Sequence, residues 1–175
     1  AGIVPVSVDL PEAAIVRATP NEVDSDGIVG YLHVGWNESI AVIRNSQTIV
    51  YVRRIKAGLK DVHDRLVDHI GLSGIAAVHL IERMQLGQLD DSERPVLGMW
   101  TALVRALVDG LDIAIRYVSH AYRMAELSSV FVSGYGATND ALLTEVDEVL
   151  GMPVASLIPS VLAESGLSES DCAKL

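Results

Sequence analysis

The run Val130-Phe131-Val132-Ser133-Gly134-Tyr135-Gly136-Ala137 is where this chain could bring its backbone close to a ligand. An apolar, β-prone stretch stops at two glycines, and a segment with helical character, Asp140 to Leu150, follows. In a strand–turn–helix of this kind, glycine lets a nucleoside or another ligand approach the main chain. The same glycines also serve a tight turn that holds nothing. Two known signatures fail. A dinucleotide fingerprint G-x-G-x-x-G needs glycine where Asn139 stands. A hydrolase elbow G-x-S-x-G needs glycine where Phe131 stands.

Other reactive residue types are scattered. His63 and His69 are six apart and share no helix face, and His79 and His120 show no metal-ligand spacing. Asp61, Asp64 and Asp68, with Arg65 among them, read as a solvated helix face. Cys172 has no neighbouring histidine to lower its pKa. As the only cysteine it cannot form an internal disulfide, which fits a cytosolic or redox-indifferent protein. Trp36, at a hairpin tip, either caps a sheet or anchors a partner.

The elements that must position these residues follow from pattern. Ile3 to Leu10 reads as a strand, and Pro5 suggests an edge position. Pro11 opens a short helix through Arg17, and a polar, acidic connector runs from Thr19 to Gly27. Ile28 to Val34, Ser39 to Arg44 and Thr48 to Ile55 are rich in Val, Ile and Tyr. Their short connections predict antiparallel hairpins. Leu59, Val62, Leu66 and Ile70 recur at helical spacing, with Gly71 as cap. Ser73 N-caps a second helix to about Leu86, and Gly87 to Pro95 reads as an exposed loop. A long amphipathic helix runs from Val96 to about Glu126. Its buried stripe is Trp100, Leu103, Leu107, Leu111, Ile115, Val118 and Tyr122, and Gly110 is its local weak point. Arg105, Asp109, Asp112, Arg116 and Arg123 line the other side. Pro153 to Ile158 is a last strand before a polar tail, Glu164 to Leu175. Three antiparallel strands, then two reached through helices, make a mixed sheet. Right-handed crossovers place the last two parallel to the first.

Composition bounds the function. Half the residues are hydrophobic and the net charge is -10. That charge excludes the basic footprint of a nucleic-acid binder and disfavours an anionic membrane surface. Val96 to Val118, the most apolar long segment, holds Arg105, Asp109, Asp112 and Arg116, too many charges for a membrane span. The first residues show no basic stretch followed by an apolar one, so no signal peptide is expected in them.

Six segments stand in a telling order. They are Ala1-Gly2-Ile3 with Val8-Asp9-Leu10 and Ala14-Ile15-Val16-Arg17-Ala18; His33-Val34-Gly35 with Ser39; Tyr51-Val52-Arg53-Arg54-Ile55 with Gly58; Gly71-Leu72-Ser73 with Ala77; Val132 to Ala137; and Gly151-Met152-Pro153-Val154 with Pro159. Together they resemble the second lobe of the PilM-like actin-like ATPase family of type IV pilus assembly, whose relatives include the cytoplasmic domain of the type II secretion L protein. The resemblance spans roughly the whole chain, although each motif alone is weak. It implies an α/β, actin-like (ribonuclease H-like) lobe over residues 1–175. The expected parts are an opening strand and helix (1–27), a three-stranded antiparallel meander (28–58), a helical insertion and long helix (59–126) and a strand–helix–strand end (127–175). The family's other lobe would precede residue 1, and its closing helix would follow Leu175.

By the same resemblance, Gly35 and Ser39 occupy the phosphate turn, and Gly134, Gly136 and Ala137 the adenosine turn, of a site for ATP and Mg²⁺. The departures are specific. His33 stands where the family has an aspartate at the metal–phosphate end, and imidazole does not replace a hard oxygen ligand for Mg²⁺. The family's nucleoside-pocket Glu and Lys fall on Val78 and Ile81, which cannot hydrogen-bond a ribose or base. The expectation is therefore a cytoplasmic scaffold of a pilus or type II secretion assembly platform with a degenerate nucleotide site and no cofactor. It would sit at the inner face of the inner membrane and bind the cytoplasmic tail of an inner-membrane assembly protein, with a motor ATPase as a second partner and oligomers as a further outcome. The alternatives are a nucleotide-dependent ATPase or phosphotransferase of the superfamily, and a cell-division actin relative. The latter typically carries a C-terminal amphipathic membrane helix, and none is visible before Leu175.

Overall fold

A computed structural model describes residues 9–18, 27–122, 127–137 and 139–157. Most of the expected first strand (residues 3–8), the connector 19–26, residues 123–126, the end of the last strand at Ile158, and the tail with Cys172 lie outside the described residues.

The expected meander forms from β1 (Ile28–Val34), β2 (Ser39–Asn45) and β3 (Thr48–Ile55). Both pairings are antiparallel, with a bulge in β3 opposite Ile43 and Arg44. After the helices come β4 (Ser129–Gly134), parallel to β1, and β5 (Val154–Ser156), parallel to β4. The sheet order is β3-β2-β1-β4-β5. The parallel register sets His33 opposite Ser133 and Val34 opposite Gly134, so the C-terminal ends of β1 and β4 lie side by side. That is the place where open α/β sheets offer a ligand crevice.

One face of the sheet carries Leu32, Val34, Ala41, Ile43, Val130 and Val132, all buried in the main core with α2 (Leu59–Ile70), α3 (Gly74–Gln85), α4 (Leu97–Tyr122) and α5 (Asp140–Leu150). The other face carries Val29, Tyr31, Ile40 and Val42, against which Ile15 and Val16 of the short helix α1 (Pro11–Arg17) pack. Alternation along each strand produces these two faces. Arg44, almost fully buried on the second face, lies with its guanidinium 5.8 Å from the Tyr31 ring centre.

The helix caps follow the sequence. Gly71 closes α2 in the left-handed region (φ 77°), and the Ser73 hydroxyl accepts from Ala76 N–H at the start of α3. Three expectations need correction. Residues 87–95 are not wholly a free loop, because Asp91–Val96 forms a 3-10 turn. Arg83 ties that segment down through Glu93 (2.7 and 2.8 Å), Asp90 and the Gln88 carbonyl. Tyr122 does not continue the buried stripe of α4. It is 49% exposed, and its hydroxyl donates to Val50 O at 3.4 Å. Gly110 is a close-approach point rather than a weak one: a Cβ there would sit 2.6 Å from Ile55 Cδ1, so glycine lets α4 press onto the sheet.

Candidate functional site

The sequence-predicted residues converge on one end of the sheet, in two turns. The first links β1 to β2 and contains Gly35, Trp36, Asn37 and Glu38, with Ser39 opening β2. The second leaves β4 through Gly134, Tyr135, Gly136 and Ala137. Tyr135 N–H donates to Val34 O at 2.9 Å, joining the second turn to the end of β1.

The first turn is closed by internal bonds. Ser39 is fully buried, and its hydroxyl donates to Ala57 O at 2.8 Å while accepting a longer bond from Gly35 N–H, 3.4 Å. Leu59 N–H donates to Gly35 O (3.1 Å) and Lys60 N–H to Trp36 O (2.8 Å). Gly58 N–H donates to Asp61 Oδ2 at 3.0 Å. The first amides of α2, ordinarily a ready anion site, are thus engaged by the turn and by α2's own third residue. Gly35 and Gly58 are needed for this fit. A Cβ on Gly35 would lie 2.2 Å from Glu38 O, and one on Gly58 2.3 Å from Trp36 O.

The second turn is shaped by left-handed glycines. Gly134 has φ 77° and Gly136 φ 84°. A Cβ on Gly134 would meet Val34 O at 2.4 Å and the His33 ring at 2.8 Å; one on Gly136 would meet Leu142 at 2.9 Å. Ala137 is buried. Asn139 holds the turn from behind: its Oδ1 accepts from Leu142 N–H (2.9 Å), capping α5, and its Nδ2 donates to Met84 O (2.8 Å) at the end of α3. Asn139 has a signal in the sequence, since an asparagine directly before a helix marks an N-cap. Asp61, in the segment that reads as a solvated helix face, is the residue that reaches back to Gly58.

His33 and Ser133 meet between the turns, Nδ1 to Oγ 3.1 Å. Burial holds the imidazole pKa below its usual value, favouring the neutral ring. A serine hydroxyl on an imidazole is the first half of a nucleophile–base pair. Among the described residues, no carboxylate hydrogen-bonds the ring to orient it, so the arrangement stops at two members. Over the same end, Trp36 packs against His63 of α2 (5.5 Å between ring centres) and Tyr135 (6.3 Å). Trp36 therefore bridges α2 and both turns. Val78 is 38% exposed on α3 and Ile81 is buried. Among the described residues, no group of three or more His, Cys, Asp or Glu could hold a metal ion, and no helix is long and apolar enough to cross a membrane.

No protein-family profile and no curated protein matches the sequence. Solved structures do match the fold. A chain of a PilM–PilN type IV pilus biogenesis complex superposes with a TM-score of 0.68 at 18% identity, over 98% of this chain and 49% of that one. EutJ, the ethanolamine utilization protein of Carboxydothermus hydrogenoformans, gives 0.57 at 18% identity, over 86% and 50%. Ta0583, an archaeal actin homologue, gives 0.58 at 11% identity, over 93% and 51%. The chain has the actin-like fold, and it spans about half the length of these structures.

Proposed function

We propose that this lobe is part of an actin-like scaffold in a type IV pilus or type II secretion assembly platform, working by shape and protein contact rather than by nucleotide turnover. One observation carries the reading: the Ser39 hydroxyl and the Gly35 and Trp36 carbonyls of the phosphate turn are engaged inside the protein. The Ser39 hydroxyl is buried on Ala57 O, and the first amides of α2 hold Gly35 O, Trp36 O and Asp61. The ring of His33 stands at the strand end where Mg²⁺ would need oxygen ligands. On the nucleoside side, Val78 and Ile81 offer no polar atom. These residues do not fit a magnesium nucleotide. Phosphoryl transfer depends on such positioned charge.

The fold match to a PilM–PilN complex supports the choice of system. The partner is the cytoplasmic tail of an inner-membrane assembly protein, held at the cytoplasmic face of that membrane, with a motor ATPase as a second partner. A net charge of -10 suits the basic segments that flank membrane helices. The test is fluorescence anisotropy with labelled tail peptides of platform proteins, beside calorimetry with ATP and Mg²⁺. Micromolar binding of a tail peptide without nucleotide binding is the expected pattern. Magnesium-dependent ATP turnover abolished by Gly134→Ala would instead establish the ATPase reading, which the preserved left-handed turn at Gly134 and Gly136 keeps open.

A further inference from the structure

The sheet ends on one side in β3, an eight-residue strand that among the described residues pairs only with β2. Among the described residues, the one other bond that caps it is Tyr122 Oη to Val50 O. A free edge of this length is a template for another strand. It leads into a pocket of about 250 Å³ between α2 and α4, lined by Lys56, Ala57, Arg65, Met99, Ala102 and Ala106. This lies across α2 from the candidate site, because His63 faces Trp36 while Asp61 and Arg65 line the pocket. The α4 face that lines it continues about two and three turns on to Ile113 and Tyr117, 46% and 51% exposed, and Tyr117 packs on Tyr51 of β3 at 4.7 Å.

The charge here runs against the rest of the molecule. Five of the 13 Lys and Arg residues fall between positions 53 and 65: Arg53, Arg54, Lys56, Lys60 and Arg65. Arg54 pairs with Glu38 and Lys60 with Asp64. Among the described residues Arg53, Lys56 and Arg65 have no carboxylate partner, and the Arg53 Nε is buried with no hydrogen bond. The pocket's own acid, Asp61, is held by Gly58 N–H.

We infer that the free edge of β3 receives an extended acidic segment of a partner protein, which adds as a strand and seats one apolar side chain in the pocket between Lys56 and Arg65. Main-chain bonds along the edge supply affinity, and the pocket and cations supply choice of partner. The pocket suits one side chain, being smaller than the roughly 300–1,000 Å³ of small-molecule sites. A second copy of this chain fits less well. Antiparallel pairing of two full β3 edges would set Arg53 opposite Val50 and Arg54 opposite Ile49, so a second copy offers these cations no carboxylate. Among the described residues, the acidic segment Asp147-Glu148-Val149 carries an exposed apolar side chain but is helical, so it is not extended for an edge. The inference is independent of the proposed function.

The test is NMR titration of the ¹⁵N-labelled full chain with a blocked peptide of alternating Glu and Val, and with its Lys and Val counterpart. Shifts at residues 48–56, Arg65 and Ala102, peptide-to-β3 backbone NOEs, and at least about tenfold weaker binding by K56E/R65E are expected for the acidic peptide. Both substituted residues are exposed, so the fold should survive. Four results would each overturn the inference: no β3 shifts at about 1 mM peptide, equal binding of the Lys peptide, shifts without NOEs to β3, or peptide-independent changes at β3 that grow with protein concentration.

Discussion

The two turns at the C-terminal end of the sheet are built differently. The β1–β2 turn is locked from outside by a helix: α2 donates two amides to it, and Ser39 fastens it to Ala57. The β4–α5 turn is locked from within, by two left-handed glycines and by Asn139 behind them. In the first, Ser39 Oγ and the Gly35 and Trp36 carbonyls are engaged; the second keeps a glycine shape. Two turns at one end of the sheet are thus held by different means, one by a helix packed on it and the other by its own glycines.

Substitutions can break or sharpen that contrast. The largest effect should come from Gly35→Ala and Gly58→Ala, whose new methyl groups meet backbone oxygens that cannot move alone. We expect each to cost about 3 kcal/mol, read as a shift in the urea midpoint. Gly134→Ala meets both a carbonyl and a left-handed φ and should cost nearly as much. Gly136→Ala meets a left-handed φ but no backbone atom, only the Leu142 methyl at 2.9 Å and the Trp100 ring at 3.4 Å, and should cost about 1–2 kcal/mol. If Gly35 and Gly58 tolerate alanine better than Gly136 does, the locked turn has been misidentified.

Ser39→Ala should cost about 1–3 kcal/mol, because Ala57 O would be left buried without its donor. A small loss would mean that water reaches the turn, and with it a phosphate could. His33→Asp puts a carboxylate at the C-terminal end of β1, where the proposed function places the Mg²⁺ side of the turn. It should not create Mg-ATP binding measurable by calorimetry, since Ser39 and the α2 amides remain engaged. Binding in that variant would mean that His33 alone decides whether the site takes Mg-ATP.

The smallest effect is pH-dependent. Burial lowers the His33 pKa in the folded state relative to the usual 6.5. Between the folded and unfolded values the unfolded chain binds more protons, so stability rises with pH there. His33 therefore stabilises the fold fully above about pH 6.5, and that contribution falls away as pH drops through the lowered folded value. Urea midpoints from pH 7 to 5 should show this slope in the wild type and not in His33→Gln.

Much of the scaffold was legible because each element carried its own punctuation. Gly71 after Ile70, Ser73 before Gly74 and Pro11 before Glu12 all mark the ends seen in the structure. Hydrophobic spacing identified α2, α4 and the three strands of the meander. The engagement of the site was not legible. Nothing local says that Ser39 would bond a carbonyl eighteen residues away, or that Trp36 would meet His63 and Tyr135. Gly110 shows the same limit: propensity marks it as a weakness, and only the approach of Ile55 makes it necessary. Tyr122 fits the helical period of the stripe but falls where α4 has passed beyond the core beneath it.

The measurement that bears most directly on the locked turn is hydrogen exchange at the amides of Gly58, Leu59 and Lys60, with and without Mg-ATP. If α2 holds the turn as described, Leu59 and Lys60 exchange as slowly as core amides such as Val42, and Mg-ATP changes nothing. Fast exchange that Mg-ATP slows would mean those amides are free to bind phosphate, and the scaffold account would fail.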